Sequence, residues 1–116
     1  MALFGVKMAG AIDFNHLEHY VGGDQGIIRE VLALFSDQAR TVLPMLDPEG
    51  SPDQWRSAAH SLKGSALGIG AGLLAEACGE AEAVKDAIVA EKMAAKARIA
   101  DCLGAVLADI AVYRTR

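Results

Sequence analysis

The segment Ala59-His60-Ser61-Leu62-Lys63-Gly64-Ser65 groups side chains suited to group transfer. An imidazole has a reference pKa of about 6.5, so at neutral pH most copies carry a free lone pair on one ring nitrogen. Such a nitrogen can attack a phosphoryl group in line and hold it as a phosphoramidate. Transfer of this kind depends on positioning and on stabilising charge more than on covalent assistance. Lys63, three residues after His60, places an ammonium one turn along the same helical face. Gly64, four residues after it, has no Cβ and leaves room for another molecule to come close. Ser65 leans towards the flank of the apolar side and reads first as a small packing residue, with hydrogen bonding second.

The phase of the surrounding helix sets His60 on the solvent side. At about 100° per residue, Trp55, Ala58, Ala59, Leu62, Ala66 and Ile69 share one narrow apolar arc. His60 lies roughly 140° from Trp55 on that wheel, beside Arg56, Lys63, Gly64 and Leu67. A histidine that merely filled a core would lie within the arc. Leu67 is an apolar residue on the exposed face; it reads either as a single exposed leucine that needs no explanation or, with Arg56 and Gly68, as the rim of a docking site.

The positioning elements read as helices. Asp13 caps a short helix through Phe14, Leu17 and Tyr20, which Gly22-Gly23 stops. Asp24 caps a second, with Ile27, Ile28, Val31, Leu34, Phe35, Val42 and Leu46 on a broad apolar face and Pro44 shortening its last turn. Gln38 falls within that face and is expected to be buried there, bonded to a backbone carbonyl or lining the bundle beneath the active face. Asp47-Pro48-Glu49-Gly50 is a turn. Ser51-Pro52-Asp53-Gln54 starts the His60 helix, with a Ser cap, Pro in the first position and Gln three residues after the cap. Gly68-Ile69-Gly70-Ala71-Gly72 ends it in a tight reversal. A fourth helix is expected from about Ala71 to Val89, with Leu73, Ala77, Ala81, Val84 and Ile88 on one face. A fifth runs from about Glu91 to Tyr113, aligning Ile99, Leu103, Val106, Leu107 and Ile110. The join between these two lies within Asp86–Lys92, which contains neither Gly nor Pro. Residues 1–11 show no period and read as a flexible lead-in to one domain over 12–116. Long amphipathic helices with short connections pack most simply as an all-α, antiparallel up-down-up-down four-helix bundle, here with a short additional N-terminal helix.

Composition narrows the function classes. The 116 residues are 53% hydrophobic with few aromatics, which favours one alanine-rich helical domain over sheet. A net charge of -4 without a basic stripe argues against nucleic acid as the main partner. No run approaches the ~20 apolar residues of a membrane span, and the N-terminus lacks a secretory pattern. A cytoplasmic monomer is expected. Cys78 and Cys102 are too few and too far apart for a disulfide framework or a zinc knuckle, and read as free thiols.

The run Ala58-Ala59-His60-Ser61-Leu62-Lys63-Gly64-Ser65-Ala66 resembles the H-x-[LI]-K-G-[ST] signature of histidine-containing phosphotransfer (HPt) domains. The similarity extends from about Asp13 to Tyr113 and takes in the Gly-Gly-Asp entry to the second helix, the glycine-rich reversal and the Leu74-Ala75-x-x-Cys78-x-x-x-Glu82 pattern. The resemblance implies a bundle whose surface histidine exchanges a phosphoryl group with a receiver-domain aspartate in a multistep phosphorelay. On that mapping His60 is the phosphoacceptor, Lys63 stabilises phosphoryl charge and Gly64 gives the partner access. Many members carry a polar residue on the next helix that hydrogen-bonds the imidazole, and Glu82 is the nearest match. The implied partners are response-regulator receiver domains and a hybrid histidine kinase. No ATP-binding motif is present, so autonomous kinase activity is not expected. No cofactor is expected, and magnesium, where required, belongs to the receiver's acidic pocket.

Weaker readings compete. His16 and His19, with Asp13, could share a metal, but no further ligand motif supports them. Gly68-x-Gly70-x-Gly72 follows a helix instead of a strand and reads as a helix–helix turn, not a phosphate cradle. A bundle that binds a receiver or another signalling partner without carrying phosphate is the alternative function.

Overall fold

The computed structural model describes residues 11–115. The expected lead-in falls almost wholly outside them. Among the described residues five α-helices follow one another: α1 Phe14–Tyr20, α2 Gln25–Val42, α3 Pro52–Gly68, α4 Gly72–Ala83 and α5 Val89–Arg114, with a 3-10 turn at Leu43–Met45. No strand occurs among the described residues. The helices pack around one core, most extensively α3 on α4 and α4 on α5, with α2 against α3 and α5.

The first three helices begin where polar side chains can satisfy otherwise unpaired amides. Asp13, Asp24 and Ser51 accept from the backbone N–H of His16, Ile27 and Gln54, each at 3.1 Å. Pro52 occupies the first turn of α3, where its missing N–H costs nothing. Pro44 converts the end of α2 into the 3-10 turn. After α3 the chain reverses through Gly70, whose φ is +75°. A Cβ there would also stand 2.9 Å from the Asp13 carbonyl oxygen. The Asp13 N–H donates to the Gly70 carbonyl at 2.9 Å, so this glycine both turns the chain and seats the start of α1.

The apolar arc of α3 is buried as its spacing requires: Trp55, Ala58, Ala59, Leu62 and Ala66 all face the core, followed by Ile69. Ile99, Leu103, Val106 and Ile110 do the same for α5. Other expectations need correction. On α2, Ile27 and Leu34 are exposed, and Leu32 and Ala39 take the core positions. Helix α4 ends at Ala83, well before Val89, so Ile88 is exposed in the connection to α5 and Val84 only packs against the core edge. Leu73 is exposed as well, because Leu74 and Ala75 turn inward instead.

One side chain satisfies a carbonyl left open at that early stop. The indole N–H of Trp55 donates to the Ala81 carbonyl at 2.7 Å, and the Val84 N–H donates to the same oxygen at 3.2 Å. A carbonyl in the last turn is thereby satisfied without continuing the helix. The Lys92 side chain is buried beside the same ring, its ammonium 5.5 Å from the indole centroid, which brings the first turns of α5 onto α3. Trp55→Phe should therefore lower stability by about 1–3 kcal/mol through the lost hydrogen bond and the altered packing. Urea unfolding followed by circular dichroism measures this, and an unchanged midpoint would refute it.

Candidate phosphoacceptor site

His60 stands near the middle of α3 with 65% of its side chain exposed, on the side opposite Trp55. Its partner comes from α4. The ring Nδ1 lies 3.0 Å from Oε2 of Glu82. An ionised carboxylate can only accept, so Nδ1 is the donor, and in the neutral ring Nε2 holds the lone pair. Nε2 has no hydrogen-bond partner among the described residues. The nitrogen that carries the lone pair is thus selected by the carboxylate and lies on the far side of the ring from it.

Glu82 has a second partner. Lys63 Nζ sits 2.6 Å from Oε1, so imidazole and ammonium engage different oxygens of one carboxylate. The Glu82 side chain is only 18% exposed. Desolvation alone would push its carboxyl pKa up, but the contacts with Lys63 and His60, and their charges, outweigh this and hold it below the usual carboxylate value. Lys63 is not the freely solvated cation that its helical phase predicts. Its side chain is 33% exposed and runs beside Gly79, whose missing Cβ would lie 3.8 Å from the lysine Cδ.

The remaining expected residues divide by environment. A Cβ on Gly64 or on Gly68 would meet nothing within 4 Å. Both positions are exposed, as are Arg56 and Leu67. Gln38 is not buried, contrary to its place on the apolar wheel of α2. Its carbonyl accepts from the Ser65 hydroxyl at 2.7 Å, and its amide donates to Ser61 Oγ at 3.4 Å, linking α2 to α3 along one flank of the site. Ser65 therefore works as a hydrogen-bonding residue first. Nothing on one helix alone marks this link, although two serines spaced four residues apart beside the histidine are a clue. Asp13 uses its carboxylate as a helix cap, and no group of three or more metal-ligating side chains occurs among the described residues. Cys78 lies in the core one turn before Glu82. Burial above all, with the nearby Cys102 and Glu82, pushes its thiol up to about 12, against the smaller opposing effect of Lys63.

Comparison with known proteins accords with this geometry. The family model of the Hpt domain matches residues 30–111. The chain is also similar to the histidine phosphotransferase ShpA from Caulobacter crescentus, at 40% identity and a TM-score of 0.74, covering 91% of this chain and 92% of that one. No curated protein matches.

Two measurements follow from the site's electrostatics. Because folding lowers the Glu82 pKa, its ionic contribution is complete above the ordinary value of 4.5 and is lost as pH falls through the folded value. Wild type should exceed Glu82→Gln in stability by about 1 kcal/mol or less at neutral pH, the pair being partly solvated. The gap should close in acid, and a gap that widens on acidification would contradict the assignment. For the thiols, iodoacetamide should alkylate Cys102 first and reach Cys78 only on unfolding; equal rates in the folded protein would refute the burial argument.

Proposed function

The chain belongs to the Hpt domain family, and from that membership we propose that it is the histidine phosphocarrier of a multistep phosphorelay, with His60 as the phosphorylated residue. The observation that carries this reading is an exposed imidazole whose Nδ1 is held by Glu82, leaving Nε2 directed outward. The Nε2 lone pair attacks the phosphorus of an aspartyl phosphate on a receiver domain. The N–P bond forms as the acyl O–P bond breaks, and the aspartate leaves as carboxylate. Nδ1 keeps its proton throughout, and the ring becomes a phosphoimidazolium facing the Glu82 carboxylate. Transfer to a second receiver runs the same step in reverse. Lys63 supplies positive charge to the phosphoryl oxygens from the same face of α3.

The partners we propose are receiver domains of response regulators and of a hybrid histidine kinase, met by a cytoplasmic monomer that does not use ATP itself. Magnesium belongs to the receiver. No helix among the described residues is long and apolar enough to cross a membrane. The docking surface consists of the α3 face around His60, with Arg56, Gly64, Leu67 and Gly68. Beside Gly68, Leu34, Val31 and Tyr20 border a shallow apolar groove between α2 and α3 that extends this surface. Leu67, 57% exposed, adds to it from the other side.

Incubation with a phosphorylated receiver should place acid-labile label on the chain, and His60→Gln should abolish it. Label that persists in that variant would overturn the reading, and unlabelled binding by both proteins would favour a non-catalytic receiver-binding bundle. Gly64→Gln separates docking from folding. Since the position is open and helical, stability should be unchanged or rise by up to about 1 kcal/mol. Transfer should nevertheless slow by about tenfold or more, equivalent to ~1.4 kcal/mol of lost docking or barrier stabilisation. Unfolding curves and transfer rates measured on the same preparation check both halves.

A further inference from the structure

We propose that Glu82 sets the phosphoryl-transfer potential of His60 by competing with the phosphoryl group for the Lys63 ammonium. The inference rests on the phosphocarrier reading above and concerns what the second oxygen of the carboxylate does. Were Glu82 needed only to orient the imidazole, Oε2 alone would suffice, at 3.0 Å from Nδ1. Oε1 instead holds Lys63 at 2.6 Å, and this is the lysine's only ion pair among the described residues. The cation that should meet the phosphoryl oxygens is therefore already engaged, on the Nδ1 side of the ring, before any phosphoryl group arrives.

The two oxygens have opposing effects on phosphorylated His60. Transfer to Nε2 leaves the proton on Nδ1 and turns the neutral ring into a phosphoimidazolium. Oε2 faces that new positive charge and favours the phosphorylated state. The phosphoryl group also brings negative charge within reach of the flexible lysine stem. Lys63 must then be shared between, or move from, Oε1 to the phosphoryl oxygens, and whatever it retains with Glu82 is withheld from the phosphoryl group. Oε1 thus favours the unphosphorylated state. The result is a carrier that binds the group firmly enough to accept it and loosely enough to pass it on. The local packing permits the movement: Lys63 lies along Gly79 without a side chain to block it, and a Cβ at Gly64 on its other flank would meet nothing within 4 Å.

Only the second effect runs through Lys63, so a double-mutant cycle isolates it. Wild type, Glu82→Gln, Lys63→Ala and the double variant are each equilibrated with phosphoramidate and a fixed excess of ammonium at mildly alkaline pH. Phosphorus NMR then measures phosphohistidine against the known total protein, which gives the ratio of phosphoprotein to free protein. Replacing Glu82 by Gln should shift this ratio towards phosphoprotein by about threefold or more further when Lys63 is present than when it is Ala. Equal shifts in the two backgrounds, or a larger one with Ala, would overturn the proposal. Circular dichroism of all four proteins verifies that they share one fold, and a purely structural role for Glu82 would not produce a lysine-dependent shift in equilibrium. Wild type that takes no label on His60 would instead sink the phosphocarrier reading itself, so the two failures are distinct.

Discussion

The indole of Trp55 governs the geometry of the site although it never reaches the surface. Its N–H holds the Ala81 carbonyl at 2.7 Å, and Ala81 immediately precedes Glu82. The hydrogen bond therefore fixes the height and rotation of the last turn of α4 relative to α3, where His60 lies. A helix free to slide by one residue would move its side chains ~1.5 Å along the axis and rotate them by about 100°, enough to take a carboxylate out of reach of an imidazole. Lys92, packed against the other part of the ring, ties α5 to the same anchor. Three helices are thus registered on one buried aromatic, and the site on the opposite face of α3 inherits that register.

A carboxylate in so sheltered a position draws on two partners. Desolvation works against its charge, and the contacts with Lys63 and His60 together outweigh it. The ion pair that favours the ionised form of Glu82 also keeps the lysine beside the ring. Ionisation in turn makes Glu82 a pure acceptor and puts the proton on Nδ1. Helix packing, the charge of the carboxylate and the identity of the nucleophilic nitrogen form one chain of dependence. Gln38 and Ser65 stiffen the other flank with neutral hydrogen bonds, which orient α2 against α3 without adding charge near the reacting nitrogen.

What could be read from the sequence was what single segments encode. Asp13, Asp24 and Ser51 act on amides three residues away, so three helix starts were visible locally. The period of Trp55, Ala59, Leu62 and Ala66 placed His60 on the outer face, because burial on one helix follows from spacing alone. The end of α4 was not visible in this way: a carbonyl of its last turn is capped by an indole twenty-six residues earlier, and Ile88 precedes α5 without a side-chain cap. Gln38 misled for a related reason. Its wheel position is apolar, yet its true environment is set by Ser61 and Ser65 on another helix. Lys63 was placed on the correct face, but its tether to Glu82 belongs to the fold and to no single helix.

Gly64 shows where the constraints on this chain must come from outside it. Glycine within a helix costs roughly 1 kcal/mol relative to alanine, and a cost of that size normally has a compensating reason in packing or backbone shape. Neither applies here. The residue lies within α3 with no positive φ, and a Cβ would meet nothing in the folded chain. Gly68 repeats the pattern one turn later on the same exposed side. The isolated protein would be better served by alanine at both positions. Open backbone flanking an exposed imidazole makes physical sense if another protein's surface closes over that face, near enough for an N–P bond to form while a bond to the donor aspartate breaks. The proposed transfer requires such an approach, and the absent side chain at Gly64 leaves space for it.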